Sequence, residues 1–137
     1  MNQDYSHPQR KTKVVFVQLG SPSEPTTKAL RKYLRKFLGD PRVVDINPWL
    51  WKIILNFFVL PFRPKKSAKL YARIWDGKSF PLITNTKNFT NNVAEELKKI
   101  DPKGYVEVNH AFLLSPPYVN EVYDSWENDL KKGIGAT

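Results

Sequence analysis

Two apolar runs that lie far apart in the chain constrain its fold more than any other feature. The first, Lys13 to Leu19, is rich in β-branched residues and ends at Gly20-Ser21-Pro22. The second, Tyr105 to Leu114, alternates, then becomes wholly apolar and stops at Ser115-Pro116-Pro117. Both patterns predict strands, and the chain between them has helical periodicity. Because a strand–helix–strand crossover in one sheet is parallel and right-handed, we predict an α/β fold: an incomplete doubly wound, Rossmann-like parallel sheet with helices on both faces.

The remaining segments carry the start and stop signals of helices. We predict a first helix that Thr26 or Thr27 caps and Gly39 ends, with these residues facing inward: Leu30, Tyr33, Leu34, Phe37 and Leu38. The further predicted helices are Pro48 to Pro61, Pro64 to Trp75, Pro81 to Ile100, and Val119 to Lys132, the last with Gly133 beyond its end. In the helix Pro81 to Ile100, the residues expected to face inward are Phe89, Val93, Ala94 and Leu97. Val43 to Ile46 is extended, either as a short strand or as a connection, and Asp101 to Gly104 is a turn.

The length of 137 residues suits one domain with one modest core. We assign residues 1–12 to a flexible tail and residues 13–137 to a single lobe. The polar start lacks the apolar segment of a signal peptide. Two strands do not make a stable open sheet, so the pattern predicts that the lobe is truncated.

The net charge of +9 predicts a surface that attracts anions, whether nucleic acid, anionic lipid or a carboxylate-bearing small molecule. The basic residues form two clusters, the first being Lys28, Arg31, Lys32, Arg35, Lys36 and Arg42, and the second Arg63, Lys65, Lys66, Lys69 and Arg73. The first cluster is most simply a solvated helix face. A nucleic-acid surface would interleave cations with stacking aromatics, and here the aromatics gather elsewhere, so nucleic acid is not an expected partner.

The segment Pro48 to Pro61 is apolar on almost every face, interrupted only by Lys52 and Asn56. It is too short to span a bilayer, which needs about 20 apolar residues. One interpretation is a buried core helix. The other is an interfacial helix or the rim of an apolar pocket, which the basic residues that follow at once would suit.

Generic catalytic motifs are absent from the sequence, which has neither a Gly-rich phosphate loop nor a paired-histidine zinc motif. The lack of Cys excludes disulfides and thiolate metal sites in this stretch, and it is compatible with a reducing cytoplasm. His7 and His110 have no second ligand at metal-binding spacing, so we expect structural histidines and no metal site.

Several longer strings, read in order, resemble one family. Val17 to Pro22 resembles the opening of the family's sequences, an apolar strand that runs into the motif N-x-G-[GT]-P. Tyr33 to Asp45 (YLRKFLGDPRVVD) resembles the bacterial family string YLREFLSDPRVVD. Arg63 to Ala68, followed by Tyr71 to Trp75, resembles RPKKSAxxYxxIW. Over residues 13–137 the chain thus resembles the N-terminal half of the bacterial-type porphyrin ferrochelatases.

The resemblance implies a chelatase-type α/β lobe that faces a second, similar lobe across a cleft. It implies insertion of ferrous iron into a porphyrin in haem biosynthesis, with this half supplying an apolar porphyrin-binding lip. The histidine and glutamate that handle the metal and the pyrrole protons lie in the other half of the family, so no catalytic residue is expected here and this part alone is expected to be inactive. Ferrous iron is then a substrate, no cofactor is expected in this half, and an iron–sulfur cluster stays undetermined. The alternative is a non-catalytic module that binds porphyrin or a membrane surface.

The expected porphyrin contacts combine the resemblance with the apolar segment: Leu19, Trp49, Ile53, Phe57, Leu60, Arg73, Leu113 and Leu114. Leu19 is either a residue facing the porphyrin plane or a core leucine, and Arg73 either contacts a propionate or is an exposed arginine. Relatives carry an Arg-Tyr pair where this chain has Leu113-Leu114. Gly77 to Leu82 contains one inserted residue compared with relatives.

The expected partners are a porphyrin, the missing second lobe and a membrane surface touched peripherally. We expect a cytoplasmic location with peripheral membrane contact. Because an open sheet edge and an exposed apolar segment recruit other chains, we also expect this part to self-associate.

Overall fold

The computed structural model describes residues 11–134. Two strands, β1 (Thr12–Gln18) and β2 (Val106–Phe112), pair in parallel, with Phe16 opposite His110. The predicted parallel pairing is confirmed, and the fold is a mixed α/β arrangement. β1 includes Thr12, which the prediction assigned to the tail, while residues 1–10 of that predicted tail lie outside the described part. Val43 to Ile46 is a connection rather than a strand.

Five helices accompany the strands within residues 11–134. They are α1 (Thr27–Leu38), α2 (Pro48–Ile54), α3 (Leu60–Ala72), α4 (Pro81–Ile100) and α5 (Val119–Ile134), and a π turn (Leu55–Val59) lies between α2 and α3. The prediction that Gly133 lies beyond the last helix is wrong, since α5 continues to Ile134.

Helix α1 follows the predicted pattern. The Thr26 hydroxyl accepts a hydrogen bond from the Ala29 amide at 3.2 Å, which is an N-cap, and the Gly39 amide closes the last turn on the Arg35 carbonyl at 3.0 Å. Its buried side chains are Leu30, Tyr33, Leu34 and Leu38, while Phe37 is half-buried and stacks on Tyr33. The amphipathic spacing therefore identified the packed face of α1 correctly.

The segment from Pro48 to Ala72 differs from the prediction of two separate helices. It runs through α2, the π turn and α3 without a break. Pro61, the second residue of α3, directly follows the π turn and has no amide hydrogen to donate. Pro64 cannot donate to the Leu60 carbonyl, and that carbonyl accepts a hydrogen bond from Arg31 Nε at 3.2 Å instead. A side chain from α1 thus replaces the missing backbone donor.

Helix α4 has the predicted bounds, but its packed face is partly different. Thr86 and Thr90 are buried, and each hydroxyl donates to the backbone carbonyl four residues earlier, at 2.7 and 2.8 Å. Phe89 was expected to face inward, yet it is 54% exposed, and its ring packs against that of Phe16 with a centroid distance of 4.9 Å. The threonines satisfy their own hydroxyls, so they can occupy the face that apolar periodicity assigned to larger residues.

The main core cluster lies between α1 and the segment that follows it. Its buried members are Tyr33, Leu34, Leu38, Leu55 and Leu60, with Trp51 and Leu114 packed partly against them. The Trp51 indole Nε1 donates to the Leu38 carbonyl at 2.6 Å, which ties α2 to the end of α1. This cluster holds the apolar segment against the body of the molecule.

Candidate functional site

The carboxyl ends of both strands lie side by side, as parallel neighbours require. The Leu113 amide donates to the Gln18 carbonyl, and the Leu114 amide donates to the Leu19 carbonyl, both at 3.0 Å. The backbone of the leucine pair after β2 therefore lies next to that of Gln18 and Leu19. Both chain segments therefore leave the sheet at the same edge, where open α/β sheets place their ligands.

Just beyond this edge, the loops that follow β1 and β2 approach each other closely at Gly20 and Ser115. Gly20 has a φ of +94°, which L side chains rarely adopt, and a Cβ there would collide with Ser115 Oγ. Ser115 Oγ accepts a hydrogen bond from the Ser21 amide at 3.3 Å, and the Tyr33 hydroxyl donates to the Gly20 carbonyl at 3.3 Å. Glycine is required here by both conformation and space, so the floor of the site is built by a close approach of two loops.

A cavity of about 420 Å³ opens beside these loops. Its apolar walls come from Tyr33 of α1, from Trp75 and Phe80 before α4, from Ile83, and from Leu114 after β2. The rings of Trp75 and Phe80 lie 4.7 Å apart, and Phe80 is only 2% exposed. The walls therefore suit a flat apolar group.

Four lysines reach the same cavity from three different elements. Lys32 and Lys36 come from α1, Lys78 from the loop before α4, and Lys87 from α4. Among the described residues that line the cavity, none is a carboxylate or an imidazole. Lys36 Nζ is placed 3.0 Å from the hydroxyl and 4.8 Å from the ring centroid of Tyr118, a contact that directs this ammonium group. The cavity thus combines aromatic walls with positive charge.

The loop that carries Lys78 is held by Asp76. The Asp76 carboxylate accepts hydrogen bonds from the Lys78 and Ser79 amides, at 2.7 and 2.6 Å. These backbone donors, Ser79 first, lower the pKa of Asp76, so its carboxylate stays ionised at neutral pH. The segment Gly77 to Leu82, where the resemblance implies one inserted residue, overlaps this loop.

Tyr33 and His110 are both uncharged at physiological pH, because the pKa of Tyr33 is raised and that of His110 is lowered. Burial, followed by the influence of Tyr71, raises the pKa of Tyr33 to about 12, so its hydroxyl remains a donor to Gly20. Burial, followed by the nearby Lys87, lowers the pKa of His110. Within residues 11–134 no group of three His, Cys, Asp or Glu side chains is placed to hold a metal ion. This part of the chain can bind an anionic or apolar group, and it presents no metal-binding cluster.

The segment from Trp49 to Phe62, called the lip here, exposes large aromatic side chains. Trp49 is 80% exposed, Phe57 70%, Phe58 66% and Phe62 72%. Its other face is buried, since Leu55 and Leu60 belong to the core cluster. Core packing and an exposed apolar rim therefore coexist on opposite faces of one segment. No helix within residues 11–134 is long and apolar enough to cross a membrane.

The lip and the cavity are supported by the same core cluster. Tyr33 lies in the core cluster under the lip and also lines the cavity, and Leu114 packs against that cluster while lining the cavity too. Anything bound in the cavity thus rests on the same core that supports the lip.

Six of the eight residues selected from the sequence fall into three environments. Trp49, Ile53 and Phe57 are exposed on the lip, while Leu19 and Leu114 lie at the strand ends, Leu19 being 37% exposed. Leu60 is different: it is only 3% exposed and supports the lip from within the core, so it is not part of its exposed surface.

Leu114 is the only one of the eight selected residues that lines the cavity, and the remaining two, Leu113 and Arg73, belong to none of these three environments. Leu113 is 58% exposed and lines a separate depression with Tyr118 and Tyr123, because successive residues after a strand point in opposite directions. Arg73 is exposed at the C-terminal end of α3 and is not among the residues that line the cavity.

Sequence reasoning did not identify the cavity itself. Lys32 and Lys36 were noticed but were interpreted as a solvated face, although their spacing of four places them beside Tyr33 on one side of α1. No pattern in the sequence predicted that Lys78, Lys87 and Trp75 would line a common cavity. Only the packing of α1 and α4 at the strand ends brings these side chains together.

The described residues thus form an α/β lobe with an exposed aromatic segment and, at its strand ends, a cavity with aromatic walls and cationic side chains. Residues 11–134 match the sequence model described as Ferrochelatase. The chain belongs to the ferrochelatase family, and the resemblance noted from its motifs is confirmed.

Curated relatives extend this match. The chain is 54% identical over 86 residues to the ferrochelatase of Psychrobacter arcticus, which covers 63% of this chain and 24% of the relative. It is 38% identical over 131 residues to the ferrochelatase of Idiomarina loihiensis, covering 95% of this chain and 35% of the relative. Ferrochelatase 1 of Shewanella oneidensis is 46% identical over 84 residues, covering 61% of this chain and 25% of that protein. The chain therefore spans about a quarter to a third of the length of these relatives.

Proposed function

We propose that this chain is the porphyrin-binding part of a ferrochelatase, which inserts ferrous iron into a porphyrin during haem biosynthesis. The observation that carries the proposal is the exposed aromatic lip, which shares its supporting core with a cavity of aromatic walls and cationic side chains. A porphyrin has the complementary chemistry, namely a flat apolar macrocycle with carboxylate side chains. The whole enzyme is then a metal-inserting lyase, and iron is its substrate.

In this proposal the lip residues Trp49, Ile53 and Phe57 cover one side of the macrocycle. Leu19 and Leu114, at the ends of the two strands, face it from the sheet edge. Leu113 and Arg73 meet the porphyrin only at its periphery, since both are exposed away from the cavity. Burial of each aromatic side chain against the macrocycle would contribute about 1–2 kcal/mol, a part of the value for complete burial.

We assign proton removal and iron delivery to the remainder of the enzyme. Metal entry requires two pyrrole protons to leave, which calls for a positioned base. The described residues that line the cavity include no carboxylate or imidazole, and Tyr33 holds its proton. The partner of this lobe is thus a second lobe across the cleft, and strands from elsewhere in the enzyme extend β1 and β2 into a doubly wound, chelatase-type sheet. An iron–sulfur cluster would need ligands from outside this chain, which has no Cys.

Porphyrin binding to the purified chain tests the proposal. Tryptophan quenching on titration with a porphyrin in detergent measures the Kd. Replacing Phe57 and Phe62 together with Ser should weaken binding by about tenfold or more, because both exposed rings lose their contact area. The control is Ile100→Ser, an exposed apolar side chain at the far end of α4. Equal affinity for the lip variant and the control contradicts the assignment of the lip.

A second assay addresses catalysis. The chain alone, mixed with ferrous iron and a porphyrin in detergent, should give no metal insertion above the uncatalysed rate, as followed by porphyrin absorption. Turnover would show that the chain contains a base and a metal site that the assignment above places elsewhere.

The lip also favours contact with a membrane surface, at the periphery of a cytoplasmic protein. Exposed Trp49, Phe57 and Phe62 lie close in sequence to Arg63 and Lys65, which combines apolar insertion with attraction to anionic headgroups. Sedimentation with vesicles containing anionic lipid should retain the chain, and the Phe57 and Phe62 serine variant should be released. A chain that binds porphyrin and vesicles but belongs to a protein without chelatase activity would instead be a non-catalytic binding module.

A further inference from the structure

We infer that the π turn of the lip contains one residue more than the core requires, and that this extra residue serves to turn two neighbouring phenylalanine rings outward, toward the bound porphyrin. This inference rests on the proposed function. The π turn, Leu55–Val59, lies between α2 and α3, and the Leu60 amide donates to the Leu55 carbonyl five residues earlier. Turns of this kind inside helical segments are rare and occur frequently at functional sites.

The side chains that face the core show where the extra residue lies. Before the π turn, Trp51 and Leu55 are four residues apart. After it, the buried residues Leu60, Pro64 and Ala68 also follow at intervals of four. Only the step from Leu55 to Leu60 is five residues, and in an α-helix five residues turn about 140° past a full circle. The π turn takes up the extra residue, so both leucines stay in the core, at 5% and 3% exposure.

Two phenyl rings occupy the side of the turn that faces away from these leucines. Phe57 and Phe58 are adjacent in the chain and are 70% and 66% exposed. Neighbouring residues of an α-helix differ in direction by about 100°, so in a regular helix one ring would point outward and the other would rotate to the flank. Because a π turn spreads more residues over one turn, the angle between neighbours is smaller. Both rings can then share the exposed side.

Asn56 is the residue of the π turn that neither the core nor the exposed rings use. It is exposed, it is absent from the core cluster, and its side-chain amide donates to the Lys52 carbonyl of its own helix at 2.8 Å. Deleting Asn56 therefore keeps every apolar side chain of the lip. The deletion shortens the step between Leu55 and Leu60 from five residues to four, the interval at which α-helical residues share a face.

The test compares deletion of Asn56 with two controls. Asn56→Ala removes the same amide but keeps the number of residues, so the π turn and the direction of both rings should remain. Deletion of Lys66, an exposed residue of α3, shortens the chain where the spacing is already regular and turns the following part of α3 by about 100° relative to Pro64. Thermal unfolding measures the stability of each variant, and tryptophan quenching on titration with a porphyrin in detergent measures the Kd.

Deletion of Asn56 should leave the unfolding midpoint unchanged or raise it, whereas deletion of Lys66 should lower it by about 5 °C or more. Deletion of Asn56 should also weaken porphyrin binding by about fivefold or more, because one ring leaves the exposed side, while Asn56→Ala binds within about twofold of the unchanged chain. A merely structural role for the extra residue would not weaken binding while preserving stability.

Three results overturn the inference and leave the lip proposal intact. The first is a midpoint that falls as far after deletion of Asn56 as after deletion of Lys66. The second is an unchanged porphyrin affinity after deletion of Asn56, and the third is an equal loss of affinity in Asn56→Ala. If the unchanged chain does not bind porphyrin, the proposed function fails, and this inference fails with it.

Discussion

Replacing Arg31 with Met should destabilise the protein through a carbonyl group on another helix. Pro64 lacks the amide hydrogen that would bond the Leu60 carbonyl, and Arg31 Nε supplies the donor at 3.2 Å. Leu60 is 3% exposed, so water has little access to its surroundings. Losing a hydrogen bond from a charged donor and leaving an acceptor unsatisfied costs about 1–3 kcal/mol; because the bond is only partly buried, we expect about 1.5 kcal/mol.

Urea unfolding followed by circular dichroism measures this loss. With an m value of about 2 kcal/mol/M, a loss of 1.5 kcal/mol lowers the midpoint by about 0.7 M urea with m unchanged. Lys28→Met is the control, since it removes an exposed charge from the first turn of the same helix. The control should shift the midpoint by less than about 0.2 M.

A double-mutant cycle with Pro64→Ala gives the decisive result. Alanine restores the amide at position 64, which can then donate to the Leu60 carbonyl in the normal helical pattern. Arg31→Met should therefore cost about 1 kcal/mol less in that background than in the unchanged chain. The cycle cancels the packing lost with the buried proline ring. A coupling free energy near zero would refute the idea that Arg31 replaces a missing backbone donor.

Two further substitutions and the association state of the unchanged chain can be tested. Gly20→Ala should destabilise the protein by about 2–3 kcal/mol, because strain at its positive φ adds to the collision with Ser115. Gly77→Ala is the control: Gly77 has the same φ of +94° but nothing within 4 Å, so its replacement should cost only about 1 kcal/mol. Similar losses in the urea midpoints of the two variants would contradict the collision. The pKa of His110 is lower in the folded protein than its unfolded value of 6.5, so its contribution to stability is fully present above pH 6.5 and is lost as the pH falls through the folded pKa. His110→Gln should therefore flatten the dependence of stability on pH below pH 6.5. An unaltered pH dependence would refute this. Finally, the chain should self-associate at low micromolar concentration through an open sheet edge or the lip, and light scattering that finds a monomer with cooperative unfolding would exclude it.

The elements that were predicted correctly are those whose signal is local. The two strands, the cap and packed face of α1, and the bounds of α4 each follow from residues close together in the chain, because hydrophobic periodicity and capping act over a few turns. The parallel pairing followed as well, since the handedness of crossovers leaves few alternatives. Family membership was also visible from short strings and needed no folded contacts.

What required the folded molecule depends on residues distant in sequence. In the sequence, Pro61 and Pro64 indicated a helix break. In the structure the segment is continuous, because Arg31 of α1 supplies the hydrogen-bond donor that Pro64 lacks. Leu60 is in the core because α1 covers that face of the segment, while Phe57 stays exposed on the other. The cavity is assembled from two helices and three loops that meet at the strand ends, so its four lysines carry no common signal along the chain. Periodicity reports which face of an element is apolar, but the neighbour that covers it, and the side chains that neighbour brings, are set by long-range packing.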